Sequence, residues 1–148
     1  MSFKKILIAI DSSPCSLHGA KKGISLAHTL NAAIGLIFVI DRSREIVNID
    51  LDITPQQSES ILLQQAEETM NQIIKMYEPL DGNIEISKFF PEGFPKDEIL
   101  NTAKEWKADL IVMGTHGRTG LAHFFMGSIA EFVVRHARIP VMVVPQHI

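Results

Sequence analysis

The stretch Asp109-Leu110-Ile111-Val112-Met113-Gly114 sets four apolar residues on consecutive positions and then stops at a glycine. Side chains of a strand alternate between two faces, so an unbroken apolar run has to be covered on both sides, as parallel strands flanked by helices are. Four further short runs rich in branched residues recur at Ile6 to Ile10, Ile34 to Ile40, Ile84 to Phe90 and Val141 to Val144. Helical spacing fills the gaps. After Ser13-Pro14, a cap followed by proline, Leu17, Ala20, Ile24 and Ala27 fall on one face, and Leu62, Ala66, Met70, Ile73 and Tyr77 do so later. A third helix is expected from about Lys96, with Ile99, Ala103 and Trp106 inward, and a fourth carries Ile129, Phe132, Val133 and His136.

Strand and helix thus alternate as βαβαβαβαβ with no composition break, repeat or low-complexity tract, which predicts a single domain over 1–148: a doubly wound α/β sheet with helices on both faces. The polar stretch Arg42 to Gln57, which contains Pro55, reads as a mobile connection after the second strand. In an open sheet of this kind a ligand sits beyond the carboxyl ends of the strands at the switch point, where Asp11, Asp41 and Gly114 are expected to converge.

Of the 148 residues 46% are apolar and 21% charged, an ordinary globular mix, and the formal net charge is −3. The 14 lysines and arginines are scattered, so the basic stripe of a nucleic-acid binder is missing. Cys15 is the single cysteine; it forbids an internal disulfide and suits a reducing compartment. The run after Lys4-Lys5 ends at Asp11, too short for a signal peptide, and no run approaches the roughly 20 residues of a membrane helix. The expected location is cytoplasmic, with neither nucleic acid nor membrane as partner.

Beyond Met113 the chain reads Gly114-Thr115-His116-Gly117-Arg118-Thr119-Gly120 and, after nine further residues from Gly117, Gly127-Ser128. Glycines at a strand end admit positive φ and let main-chain N–H groups approach a ligand, and a helix starting at Ser128 adds its own unpaired N–H groups. Arg118 supplies a guanidinium that forks onto phosphate oxygens. An anion cradle, with phosphate as its guest, follows. Taken alone, Gly114-x-x-Gly117 is equally consistent with a plain turn; the second half carries the argument. Helix capping accounts for the Ser128 hydroxyl, and capping of the helix at Pro14 is the competing role for Asp11.

The spacing Gly114-x2-Gly117-x9-Gly127-Ser128, together with Lys4 to Asp11 at the start and Pro140-Val141-Met142-Val143-Val144-Pro145 at the end, resembles the universal stress protein family (UspA-like), specifically its ATP-binding branch. The resemblance implies a five-stranded parallel sheet of order 3-2-1-4-5, adenine nucleotide alpha hydrolase-like, and a nucleotide-dependent sensor or regulator in stress response. It implies that Ala9, Ile10 and Asp11 line the nucleotide crevice, that the Val39 backbone meets the adenine edge, and that Met113 and Gly114 lie along the ribose. Gly117, Arg118, Gly127, Ser128 and Ile129 would surround the phosphates. Asp11 near phosphates needs a ribose hydroxyl or a divalent cation, so ATP with Mg²⁺ or Mn²⁺ is the expected cofactor set, Asp11 being the metal-side residue through the nucleotide.

No Gly-x4-Gly-Lys-Ser/Thr loop is present, no lysine lies within the cluster and no acid lies between Gly114 and Ser128, so no catalytic residue is assigned. A binding and regulatory protein is expected; the alternative is a slow ATPase or autophosphorylating enzyme on the same cradle. A phospho-acceptor receiver domain is disfavoured, since Asp11 has no acidic neighbour, Pro91 follows the third strand and Pro145 the fifth. His116, His123, His136 and His147 lack the i, i+4 spacing of a helical zinc site. Leu121, Phe124, Phe125 and Met126 give the loop apolar bulk suited to core packing or to covering a ligand. Val141 to Val144, apolar on both faces at an expected sheet edge, predicts a homodimer through antiparallel last strands. A protein partner is expected too, and the residues do not name it.

Overall fold

Five short strands and four helices follow one another in strict alternation in the computed structural model, which describes residues 2–11, 13–41, 54–77, 84–115 and 126–145. The strands are β1 (Lys5–Ala9), β2 (Ala33–Ile37), β3 (Ile86–Phe89), β4 (Leu110–Gly114) and β5 (Val141–Val144). All pair in parallel, in the order β3-β2-β1-β4-β5. The helices are α1 (Pro14–Leu30), α2 (Pro55–Tyr77), α3 (Pro95–Trp106) and α4 (Ser128–His136). Successive strands step outward from β1 to β3 and then resume on its other side at β4. That reversal opens a crevice above the carboxyl ends of β1 and β4.

Alternation along each strand divides the apolar residues into two layers. Ile6, Ile8, Leu36, Phe38 and Val112 pack with Ala20, Ile24, Ala66 and Met70 of α1 and α2. On the opposite face Leu7, Ala9, Ile37, Ile111 and Met113 pack with Ile99, Ala103, Ala130 and Val133 of α3 and α4. β2 and β3 are shorter than their apolar runs. β2 ends at Ile37 because its pairing with β1 stops there, while the chain continues along β3 alone through Phe38 N–H to Phe89 O (3.0 Å) and an Ile40–Glu92 bridge.

Leu17, expected on the inner face of α1, is 40% exposed. The inner face consists instead of small residues, Cys15, Gly19, Ala20, Gly23 and Ala27, with Ile24. At two positions the helix lies too near the sheet for a side chain: a Cβ on Gly19 would stand 3.1 Å from the Gly114 nitrogen, and one on Gly23 2.9 Å from Ile8 Cδ1. His136 of α4 is likewise exposed rather than inward, and Ala130 takes its place in the core.

Pro55 belongs to α2 rather than to the preceding connection. Thr54 N–H donates to Gln57 Oε1 (2.7 Å) and Gln57 N–H to Thr54 Oγ1 (3.2 Å), a reciprocal cap that lets proline occupy the first helical position. The rest of that stretch, 42–53, lies outside the described residues. No described helix is long and apolar enough to cross a membrane.

At the amino ends of the strands Asp109 closes the sheet. Its Oδ2 accepts from the main-chain N–H groups of Lys4 (2.8 Å) and Lys5 (2.9 Å). Lys5 Nζ in turn donates to Trp106 O (3.1 Å) and lies 5.1 Å from the Trp106 ring centroid, joining the start of β1 to the end of α3. Removing the shared acceptor takes a partner from the part-buried Lys5 amide and from the exposed Lys4 amide. Asp109→Ala is therefore expected to lower unfolding free energy by about 1–3 kcal/mol in urea titration, with Asp109→Asn, which keeps one oxygen, falling between.

Candidate functional site

At the end of β1 the chain turns into α1 through a compact polar knot. Asp11 N–H donates to Ser16 Oγ (2.6 Å), Ser13 N–H to Asp11 Oδ1 (2.7 Å), and Ser16 N–H to Ser13 Oγ (3.1 Å). Ser13 is the N-cap of α1. Asp11 thus does not cap the helix; it orients the residue that does. Its second carboxylate oxygen takes no part in this knot, and the residue lines the crevice.

The end of β2 supplies a different kind of group. Phe38 and Ile40 spend their N–H groups on the β3 side, the latter on Pro91 O (2.8 Å), and Ile40 O accepts from Gly93 (3.0 Å). Val39, between them, faces the β1 side, where β1 has already turned away. Among the described residues its N–H and C=O make no main-chain hydrogen bond. An adjacent donor and acceptor left at a cavity wall need a partner from outside the ladder.

The third wall is the exit of β4. Gly114 is not at positive φ, as Gly93 alone is among described glycines. Its lack of a side chain has another cause: a Cβ there would meet Cys15 O and Cys15 Sγ, each at 2.9 Å. Thr115 N–H donates to Val144 O (3.2 Å), and Thr115 O accepts from Gly127 N–H (2.6 Å), which brings the start of α4 back beside the end of β4. Two expectations change here. The Gly127 amide is committed to Thr115, so it is not a free donor, and Gly127 rather than Ser128 is the N-cap, with extended backbone (φ −60°, ψ 156°) and no side-chain cap. The first intrahelical bond runs from Glu131 N–H to Gly127 O (2.9 Å). Hence the N–H groups of Ser128, Ile129 and Ala130 have no acceptor within α4, and the helix dipole adds positive potential at the same end.

These three walls enclose one cavity of about 630 Å³, within the usual range for small-molecule sites. Ala9, Ile10, Asp11, Val39, Met113, Gly114, Gly127, Ser128 and Ile129 all line it, as does Asp41. Gly117 and Arg118 lie outside the described residues, as do His116, His123, His147, Leu121, Phe124 and Phe125; Met126 is exposed. No group of three or more metal-ligating side chains occurs among the described residues. Phe94, Pro95, Lys96, Ile99 and Phe132 also line the cavity, and the sequence reading did not single them out as site residues. The available signal was Gly93-Phe94-Pro95, a turn with a large apolar residue at a helix start.

With this geometry the chain resembles proteins of one family. The universal stress protein family model matches residues 2–145. Universal stress protein MJ0531 of Methanocaldococcus jannaschii is 37% identical over 142 residues, covering 96% of this chain and 82% of that one. Among solved structures, UspA of Lactobacillus plantarum superposes with a TM-score of 0.84 at 24% identity over 97% of this chain and 99% of that one. A universal stress protein in complex with cAMP gives 0.70 at 21% identity over 98% of each chain. One from Archaeoglobus fulgidus in complex with dAMP gives 0.66 at 19% over 97% of this chain and 98% of that one.

The cause assigned to Gly114 is open to test without any ligand. Gly114→Ala is expected to destabilise the protein by about 1–3 kcal/mol, because the Cys15 carbonyl cannot move off without shifting α1; thermal unfolding of the ligand-free variant measures it.

Proposed function

The chain belongs to the universal stress protein family, and on that premise we propose that its crevice binds an adenine nucleotide, ATP being the ligand expected, and that the protein serves as a nucleotide-dependent sensor or regulator in a stress response. The observation that carries this reading is the division of labour within one cavity. The amide and carbonyl of Val39, without a main-chain partner among the described residues, suit the donor–acceptor edge of a base, while the N–H groups at the start of α4, which have no acceptor within the helix, suit an anion. The carboxylate of Asp11 lines the same cavity, and its oxygen outside the Ser13–Ser16 knot is suited to a ribose hydroxyl or to Mg²⁺ or Mn²⁺ carried on the phosphates. Relatives held with cAMP and dAMP support an adenine nucleotide as the ligand class. Gly117 and Arg118 complete the proposed phosphate end on the strength of the glycine spacing.

Titration calorimetry with ATP and Mg²⁺ tests the reading: saturable binding at one site per chain is expected, and a folded protein that takes up no ATP refutes it. Ligand at about 100 times Kd should stabilise the fold by about 2.7 kcal/mol.

Dimerisation through β5 is part of the same proposal. Pro140 O and Val144 O accept from Ile111 and Thr115 of the β4 segment, so even-numbered positions face inward and the N–H groups of Val141 and Val143 face the open edge. An apolar edge with free donors is suited to a second copy. Sedimentation equilibrium should return twice the 16.5 kDa chain mass, and Val143→Pro, which removes an outward donor, should return the monomer.

A further inference from the structure

Phe94 is poorly placed for the stability of α3. It occupies the N-cap, where Ser, Thr, Asp or Asn would satisfy an N–H of the first turn, and it makes no such bond. Nor does it fill the core, since it is 61% exposed. It does line the cavity.

Its position is closely fixed. Gly93, at φ +146°, donates its N–H to Ile40 O (3.0 Å), and Ile40 N–H donates to Pro91 O (2.8 Å), so the segment before Phe94 is tied to the residue next to Val39. Pro95 follows directly as the first residue of α3. Two residues on from Phe94, the Lys96 ammonium lies 4.8 Å from the Phe132 ring centroid, and both residues line the cavity. A ring exposed to solvent, on a backbone tied to the residue next to Val39 and lining one cavity with a cation held on the Phe132 face, departs from local stability rules where a ligand would repay the departure.

Resting on the nucleotide reading above, we infer that Phe94 is the stacking face for the base of the bound nucleotide, with the Lys96 ammonium at the rim of that base. The division of tasks follows from the chemistry. Stacking is indifferent to the identity of a planar heteroaromatic ring and supplies affinity, whereas the Val39 edge, with one donor and one acceptor, discriminates among bases. Phe94 is accordingly a binding residue that trades helix stability for affinity.

The two effects separate in Phe94→Ser. That variant gains a capping hydroxyl and should melt about 2–4 °C higher than the wild type. Its affinity for ATP, measured by calorimetry with Mg²⁺, should fall on the order of tenfold, while its affinity for inorganic tripolyphosphate, which has no base, should stay at the wild-type value. Phe94→Trp should keep ATP affinity and show indole fluorescence quenching on ATP addition. Equal ATP affinity in the wild type and Phe94→Ser overturns the inference, as does an equal loss for ATP and tripolyphosphate. Absence of ATP binding by the wild type is a separate result, which removes the nucleotide reading and this inference with it.

Discussion

Gly19 of α1 stands over Gly114 of β4 with no side chain between helix and strand, and the placement of the crevice depends on that approach. Gly23 repeats the approach one turn on, against Ile8 and Val112. Such closeness requires small residues on the helix and leaves little tolerance, because interiors packed to crystal-like density transmit even one methyl group. It also sets the height at which α1 begins. Ser13, Ser16 and Asp11 are thereby brought to the rim of the sheet beside the end of β4, and the polar knot they form is a consequence of how the helix is seated.

The crevice itself arises where the sheet stops satisfying its own main chain. β1 turns away after Ala9 and Ile10, so Val39 keeps a donor and acceptor without a main-chain match among the described residues; β4 ends at Gly114, and the chain returns at Gly127 to begin a helix whose first N–H groups have no acceptor within the helix. Both sets of groups follow from topology, not from unusual side chains. The order β3-β2-β1-β4-β5 places them around one cavity, with side chains needed only to adjust polarity and shape.

Much of this was legible in the residues. Consecutive apolar positions at Ile6 to Ile10 and Leu110 to Met113 announced a doubly covered parallel sheet, and the spaced glycines marked the exit of β4. The reason for one of those glycines was not legible: positive φ was the local explanation for Gly114, whereas the cause is a helix nearly a hundred residues earlier in the chain. Long-range contact leaves no local pattern. The same holds for Leu17, whose helical spacing fitted an inner face that the sheet-facing Gly19, Ala20, Gly23 and Ile24 take instead. Pro55 was misjudged for the opposite reason, since its partner signal, Thr54 with Gln57, was local but weak beside the polarity of the stretch. Phe94 escaped notice because apolar periodicity reports cores and has nothing to say of an isolated aromatic at a helix start.

The sulfur of Cys15 rests in the seam between α1, β4 and β5, 3.6 Å from Thr115 Oγ1 and 3.9 Å from Val144 O, in a residue only 2% exposed. A reagent specific for thiols has no route to it while that seam is shut. The pace at which such a reagent is consumed is consequently a clock for spontaneous parting of helix from sheet, built into the chain itself.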